Sequence, residues 1–74
     1  MEPFTKALEV IAQVMHDGAA THPDNDWLRR TVDYHLGRAE EHLRLLRDGR
    51  QAEDHLAHAL VRLMMAVSIR EAER

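Results

Sequence analysis

The chain of 74 residues contains no cysteine, which excludes disulfide bonds and zinc sites built from thiolates. It has no apolar run near the ~18 residues that a membrane span needs, and its N-terminus lacks the pattern of a signal peptide. It also has no basic block of the kind that binds duplex DNA, because acids and bases alternate and the net charge is −3. We therefore expect a cytoplasmic protein that binds neither membranes nor duplex nucleic acid.

The chain is long enough for one small domain, which we place at residues 1–74. Such a domain buries only about 60% of the surface that its unfolded chain exposes, so it usually needs a metal, a disulfide or a partner subunit. Without cysteine, a metal held by other ligands or oligomerisation remains. Six histidines are the unusual feature of the composition.

Apolar residues recur at steps of three and four in three segments, which predicts helices over about 4–16, 26–47 and 52–72. Glycine is common just after a helix end, so Gly18 and Gly49 are expected to end the first two. Gly37 lies inside the second helix and could let another backbone approach closely. The predicted fold is all-α, a three-helix antiparallel bundle, since the loop between the second and third helices is short.

The third helix is apolar almost all round from Leu56 to Ile69, and a helix of this kind requires burial on every side. Two short helices of the same chain cannot cover it. We therefore expect a homodimer that completes the core, in which the third helix meets its symmetry mate. The alternative is an exposed patch that binds another protein.

Three histidines are expected at one level of the seam between the second and third helices. His42 lies near the end of one helix, and His55 and His58 lie near the start of the next. Three interpretations are open. With Asp54 or Glu41 they bind a divalent transition metal, they bind or protonate a substrate phosphate without a metal, or they only pair with nearby polar groups.

Other polar residues suggest substrate contacts. Arg38 lies one helical turn from His42, and Arg62 lies one turn beyond His58, so both favour phosphate binding if they face the seam. Trp27 either anchors the loop or stacks on a base. Glu41 and Asp54 are the acids expected to act in catalysis. The sequence has no glycine-rich phosphate loop and no nucleophile motif.

Three segments resemble a small helical family of phage and prophage proteins, the N-terminal domain of dATP/dGTP diphosphohydrolases. The first is "ALEVIAQVMHDGAATHPDNDW", where Gly18, Ala19 and Trp27 match the family pattern. The second is "EHLRLLRDG", which matches at His42, Leu43 and Gly49. The third is "DHLAHAL", which matches at His55, Leu56, Ala57, His58 and Ala59. The resemblance covers nearly the whole chain.

The resemblance implies an all-helical oligomer that releases pyrophosphate from purine deoxynucleoside triphosphates, a reaction in which a metal usually shields phosphate charge. It favours His42, His55 and His58 as the site. Thr21 and Glu41 stand where the family has a lysine and an arginine, so two cations that could hold a triphosphate are missing. Two hypotheses follow: a nucleotide pyrophosphohydrolase with a divalent metal, or a catalytically silent dimerisation or protein-interaction module.

Overall fold

The computed structural model describes residues 2–74, apart from the side chains of Pro23 and Asp24. Within this range the chain forms three α-helices and no strand, so the predicted all-α class is confirmed. The helices are α1 (Thr5–Thr21), α2 (Val32–Arg47) and α3 (His55–Ala72), and two short 3₁₀ segments cover Glu2–Phe4 and Pro23–Arg29. None of the helices in the described part of the chain is long and apolar enough to cross a membrane.

The main packing unit is the antiparallel pair of α2 and α3. His42 contacts His55 near the connecting loop, and His35 contacts Arg62 two turns away, so residue numbers fall along α3 as they rise along α2. Four small side chains of these two helices are buried, namely Ala39 in α2, between the buried His35 and His42, and Ala57, Ala59 and Ala66 in α3. The seam therefore alternates alanine with histidine, which places polar groups inside the packed surface.

The turn after α2 fixes this pairing. Gly49 has a φ of 79°, the left-handed conformation that glycine adopts at low cost. The N–H of Arg50 donates to the carbonyl of Leu45 at 3.0 Å, and the N–H of Gly49 donates to that of Leu46 at 3.1 Å. These two hydrogen bonds form a Schellman motif, and the predicted helix end at Gly49 is confirmed.

Two predicted helix ends are wrong in the first half of the chain. Gly18 does not end α1, which continues to Thr21 because Gly18 keeps a helical φ; Pro23 then follows as the start of the next segment. The second helix begins at Val32 rather than at 26, because Thr31 caps it by accepting from the N–H of Tyr34 at 3.0 Å.

The third helix begins at His55 rather than at 52. Asp54 caps it, since its carboxylate accepts from the N–H of Ala57 at 3.0 Å. Glu53 therefore precedes the helix instead of lying in its first turn. Gly37 is also not a point of close approach, because a Cβ there would meet nothing within 4 Å.

The outer face of α3 is not covered by the rest of the chain. α1 packs against α3, but Ile11 is its only buried residue in the described structure. A row of large apolar side chains remains between 38% and 60% exposed: Leu56, Leu60, Leu63, Met64 and Val67. Two helices of the same chain thus leave one side of α3 open, as the sequence predicts.

Candidate functional site

The polar site lies at the loop end of the α2/α3 seam. α2 contributes His42 from its last two turns, and the first turn of α3 contributes His55 and His58. His42 and His55 are buried, whereas the side chain of His58 is 30% exposed. The cap at Asp54 sets where α3 begins, and it thereby sets the direction in which these two histidines point.

Glu53 joins the three histidines. Its Oε1 lies 3.6 Å from Nδ1 of His42 and 3.6 Å from Nδ1 of His55, and its Oε2 lies 3.2 Å from Nδ1 of His58. Three ring nitrogens of the same type therefore face one carboxylate. We refer to His42, Glu53, His55 and His58 as the histidine–glutamate cluster.

The two buried histidines also contact each other. Nδ1 of His42 lies 3.0 Å from Nδ1 of His55, a hydrogen-bond distance. Between two neutral rings, one Nδ1–H donates and the other Nδ1 accepts, so the pair shares one proton. The ring of His58 meets that of His42 edge-on at 5.3 Å between centroids.

Burial sets the charge of His42. It lowers the pKa of His42 because the imidazolium loses solvation. His58, Arg38 and His55 lower it further by repulsion, while Glu53 opposes the shift by attraction. His42 therefore favours the neutral form, which is the form that binds a metal.

The donor atoms of three members of the cluster are close enough to share one ion. Those of His42, Glu53 and His55 all lie within 4.8 Å of one another. Ligand atoms of a tetrahedral ion with bonds of about 2.0–2.1 Å lie roughly 3.3 Å apart, near the 3.0–3.6 Å found here. Imidazole with carboxylate suits zinc, manganese, iron or nickel. The group could therefore hold a metal ion.

The two predicted catalytic acids lie away from the cluster centre. Asp54 accepts the Ala57 N–H as the helix cap. Glu41 accepts two hydrogen bonds from Arg44, at 2.7 and 3.2 Å, on the exposed side of α2, and this pairing lowers the pKa of Glu41. The acid that meets the histidines is Glu53. The sequence did not single it out, because a helix beginning at 52 would point it to another face.

A second polar group lies two turns along the seam, around His35, which is fully buried. Its Nε2 lies 3.0 Å from the carbonyl oxygen of Trp27, which can only accept, so Nε2 carries the proton. Its Nδ1 then accepts from the guanidinium of Arg62 at 3.2 Å. The predicted substrate residues Arg62 and Trp27 thus meet at His35, not at the histidine–glutamate cluster.

Arg38 lies between the two groups. It is near enough to His42 to lower the pKa of that imidazole, and near enough to Arg62 to lower the pKa of its guanidinium, for which burial is the largest cause. Polar groups therefore follow one line along the seam, from Glu53 at the loop end to Trp27 at the other.

Comparison with known proteins identifies one family. A family model described as dATP/dGTP diphosphohydrolase, N-terminal, matches residues 3–74. No curated protein and no solved structure matches the chain. The match spans α1, α2 and α3 and includes the histidine–glutamate cluster. The chain belongs to the dATP/dGTP diphosphohydrolase N-terminal family.

Proposed function

We propose that this domain binds a divalent transition metal at the histidine–glutamate cluster and serves the hydrolysis of purine deoxynucleoside triphosphates. The products are a deoxynucleoside monophosphate and pyrophosphate. The observation that supports this most directly is the meeting of three histidine Nδ1 atoms at the carboxylate of Glu53. The family match supplies the substrate class.

The surroundings of the cluster support metal binding over simple pairing. His42 and His55 are held on the buried side, while Glu53 is 45% exposed and His58 is partly exposed, so an ion can enter from solvent. Two imidazoles that share one proton leave one Nδ1 lone pair committed to the other ring. A metal ion would use both Nδ1 lone pairs once the ring that carries Nδ1–H shifts that proton to its own Nε2.

A metal held there would shield phosphate charge and lower the pKa of a bound water. His42, His55 and His58 would supply neutral nitrogen donors, and Glu53 would supply the compensating negative charge. The predicted substrate contacts are Arg38, Arg62 and Trp27. The catalytic roles of Glu41 and Asp54, and the cytoplasmic location in a bacterial host or phage-infected cell, stay predictions.

The first test is metal content and affinity of the purified protein. We expect about one equivalent of zinc or manganese per chain, with an affinity that weakens as the pH falls, because the ligands must be deprotonated. Glu53→Gln should weaken binding at least about tenfold, because it removes the anionic ligand. Asp54→Asn is the matched control, since asparagine also caps helices and the affinity should stay within about twofold.

Hydrolysis is measured on the same set of proteins. We expect pyrophosphate release from dATP and dGTP that requires the metal and is lost in the His42→Ala/His58→Ala double variant. Protein that stays metal-free after soaking in zinc and manganese would refute the metal site. Equal metal affinity in Glu53→Gln and in the unmodified protein would refute the assignment of Glu53.

A second candidate function is assembly of a homodimer through the outer face of α3. Leu56, Leu60, Leu63 and Val67 follow one another at steps of four, three and four, the heptad spacing of paired helices, and all are exposed.

The total exposed surface supports the same conclusion. The chain of 8.6 kDa exposes 5795 Å², whereas a compact monomer of this mass exposes about 4,700 Å². The excess, roughly 1,100 Å², resembles the ~800 Å² that each partner buries in a stable protein interface. A second copy on the α3 row would bury area of that size.

Analytical ultracentrifugation tests the dimer. We expect a mass near twice the chain mass, and a monomer for Leu60→Lys/Leu63→Lys. The control is Val10→Lys, which places the same charge on an exposed apolar position of α1. A monomeric unmodified protein at high concentration would refute the dimer. A dimer without metal or hydrolysis would favour the silent module over the enzyme.

A further inference from the structure

Arg30 and Arg62 pack against the ring of Tyr34 at the far end of the α2/α3 seam. The guanidinium carbon of Arg30 lies 4.9 Å from the centroid of the Tyr34 ring, and that of Arg62 lies 5.8 Å from it. Arg38 is the third member, because it lies one helical turn after Tyr34 on α2 and, like Arg30, repels Arg62 and lowers the pKa of that guanidinium, for which burial is the largest cause. We refer to Arg30, Arg38 and Arg62 as the arginine group.

No carboxylate neutralises the arginine group among the described side chains. The ion pairs of that part of the structure occupy other basic residues, including Arg29 with Asp26 and Arg44 with Glu41 and Asp48. Arg38 lowers the pKa of Glu41, but Glu41 is bonded to Arg44. Three positive charges are thus gathered on a chain whose net charge is −3.

The way Arg62 is held keeps its charge available. Its partner is Nδ1 of His35, which accepts because a guanidinium can only donate, while Nε2–H of the same ring donates to the Trp27 carbonyl. A carboxylate would orient the guanidinium equally well and would cancel its charge. A neutral acceptor orients it and leaves the positive charge to attract an anion. Tyr34 contributes a ring against which two guanidinium groups pack.

Position connects this group with the histidine–glutamate cluster. Arg38 lies one helical turn from His42 on α2 and affects the pKa of both His42 and Arg62. An extended anion bound at the arginines would reach toward Glu53 and the histidines. The two groups therefore form neighbouring parts of one surface.

We propose that the arginine group is a binding site for the phosphate chain of a nucleoside triphosphate, in which Arg30, Arg38 and Arg62 hold the pyrophosphate portion beside the histidine–glutamate cluster. The inference rests on the proposed function for the identity of the ligand. It assigns Arg30, Tyr34 and His35 to substrate binding, with His35 and Tyr34 acting as positioning residues for Arg62 and Arg30.

The test uses inorganic tripolyphosphate as the probe, in chelator and at low salt, and follows binding by calorimetry. No metal and no hydrolysis is involved, so the result is separate from the test of the metal site. We expect saturable binding to the unmodified protein. Arg30→Gln and Arg38→Gln should each raise the Kd about tenfold, because each removes a charge-assisted hydrogen bond to phosphate.

The matched control is Arg47→Gln. Arg47 is exposed in the last turn of α2, the helix that also carries Arg38. Arg47→Gln therefore removes the same charge as Arg38→Gln, and the Kd for tripolyphosphate should change by no more than about twofold. Arg62→Gln is measured together with its circular dichroism spectrum, since Arg62 is partly buried.

Two results would overturn the proposal. One is the absence of tripolyphosphate binding at millimolar concentration. The other is an equal loss of tripolyphosphate affinity in Arg47→Gln and Arg38→Gln, which would mean that only the overall charge of the protein matters. Tripolyphosphate binding with the expected arginine dependence, in a protein that binds no metal, would keep the anion site and refute only the metal-dependent reaction.

Discussion

At the scale of single residues, the buried His42 should make stability depend on pH. Its pKa is lowered from 6.5, mainly by burial. The unfolded state therefore binds more protons than the folded state once the pH falls to about 6.5 and below, and stability is lost on acidification through this range. Above this pH range, His42 is neutral in both the folded and the unfolded state, so its contribution to the free energy of unfolding no longer varies with pH.

Thermal unfolding of the metal-free protein between about pH 7.5 and about pH 5.5 measures this effect. The melting temperature should fall with pH in the unmodified protein, and His42→Gln should flatten the profile. His16→Gln, at an exposed position of α1, is the control and should leave the slope in place. A profile with the same slope in His42→Gln would show that other groups cause the loss.

Residue types and spacing predicted His42, His55 and His58 as neighbours, and the structure brings these three together. Helical periodicity is enough for that, because antiparallel helices joined by a short loop must match at their loop ends. Glu53 could not be predicted in the same way. It lies before the helix, and its direction depends on where the Asp54 cap begins α3, which sequence reading places only within a few residues.

At the scale of helices, three glycines offer a matched set of substitutions. Gly18 and Gly37 lie inside α1 and α2 with helical φ, and a Cβ at either position meets nothing within 4 Å. Alanine should therefore stabilise the protein by about 0.5–1 kcal/mol at each position, because it reduces the conformational freedom of the unfolded chain. Chemical denaturation measures the change.

Gly49 is the contrasting position. Space around it is equally open, but its φ of 79° is unfavourable for any residue with a Cβ. Gly49→Ala should destabilise the protein by about 1–2 kcal/mol. Stabilisation by all three substitutions would show that the turn after α2 can relax, and destabilisation by Gly18→Ala would show that α1 has a partner in solution at that face.

The glycines also explain which helix ends the sequence could predict. Asp48-Gly49 and Asp17-Gly18 are the same dipeptide, yet only the first ends a helix. After Gly49 the chain must reverse to pair α3 with α2, so the left-handed conformation is required. After Gly18 no reversal is needed until Pro23, and the helix continues. Tertiary packing, not the dipeptide, decides between the two outcomes.

At the scale of the whole molecule, the apolar surface is too large for the chain to cover. The sequence predicts an apolar face on α1 and an α3 that is apolar almost all round. The short α2 can pack against only one side of α3. The exposed excess of roughly 1,100 Å² is the result of this shortage. Sequence reading anticipated the shortage from the apolar content of α3, but it could not tell which residues remain uncovered.

If a second copy covers that excess, unfolding and dissociation are coupled, and stability must rise with protein concentration. A hundredfold increase adds about 2.7 kcal/mol, which for two chains of this length raises the melting temperature by roughly 5–10 °C. Scanning calorimetry across that range measures the shift. Leu60→Lys/Leu63→Lys should abolish the dependence of the melting temperature on protein concentration, since an α3 face that carries two lysines cannot be buried against a second copy. A melting temperature that stays constant in the unmodified protein would mean that the exposed apolar side chains of α3 bind a different partner.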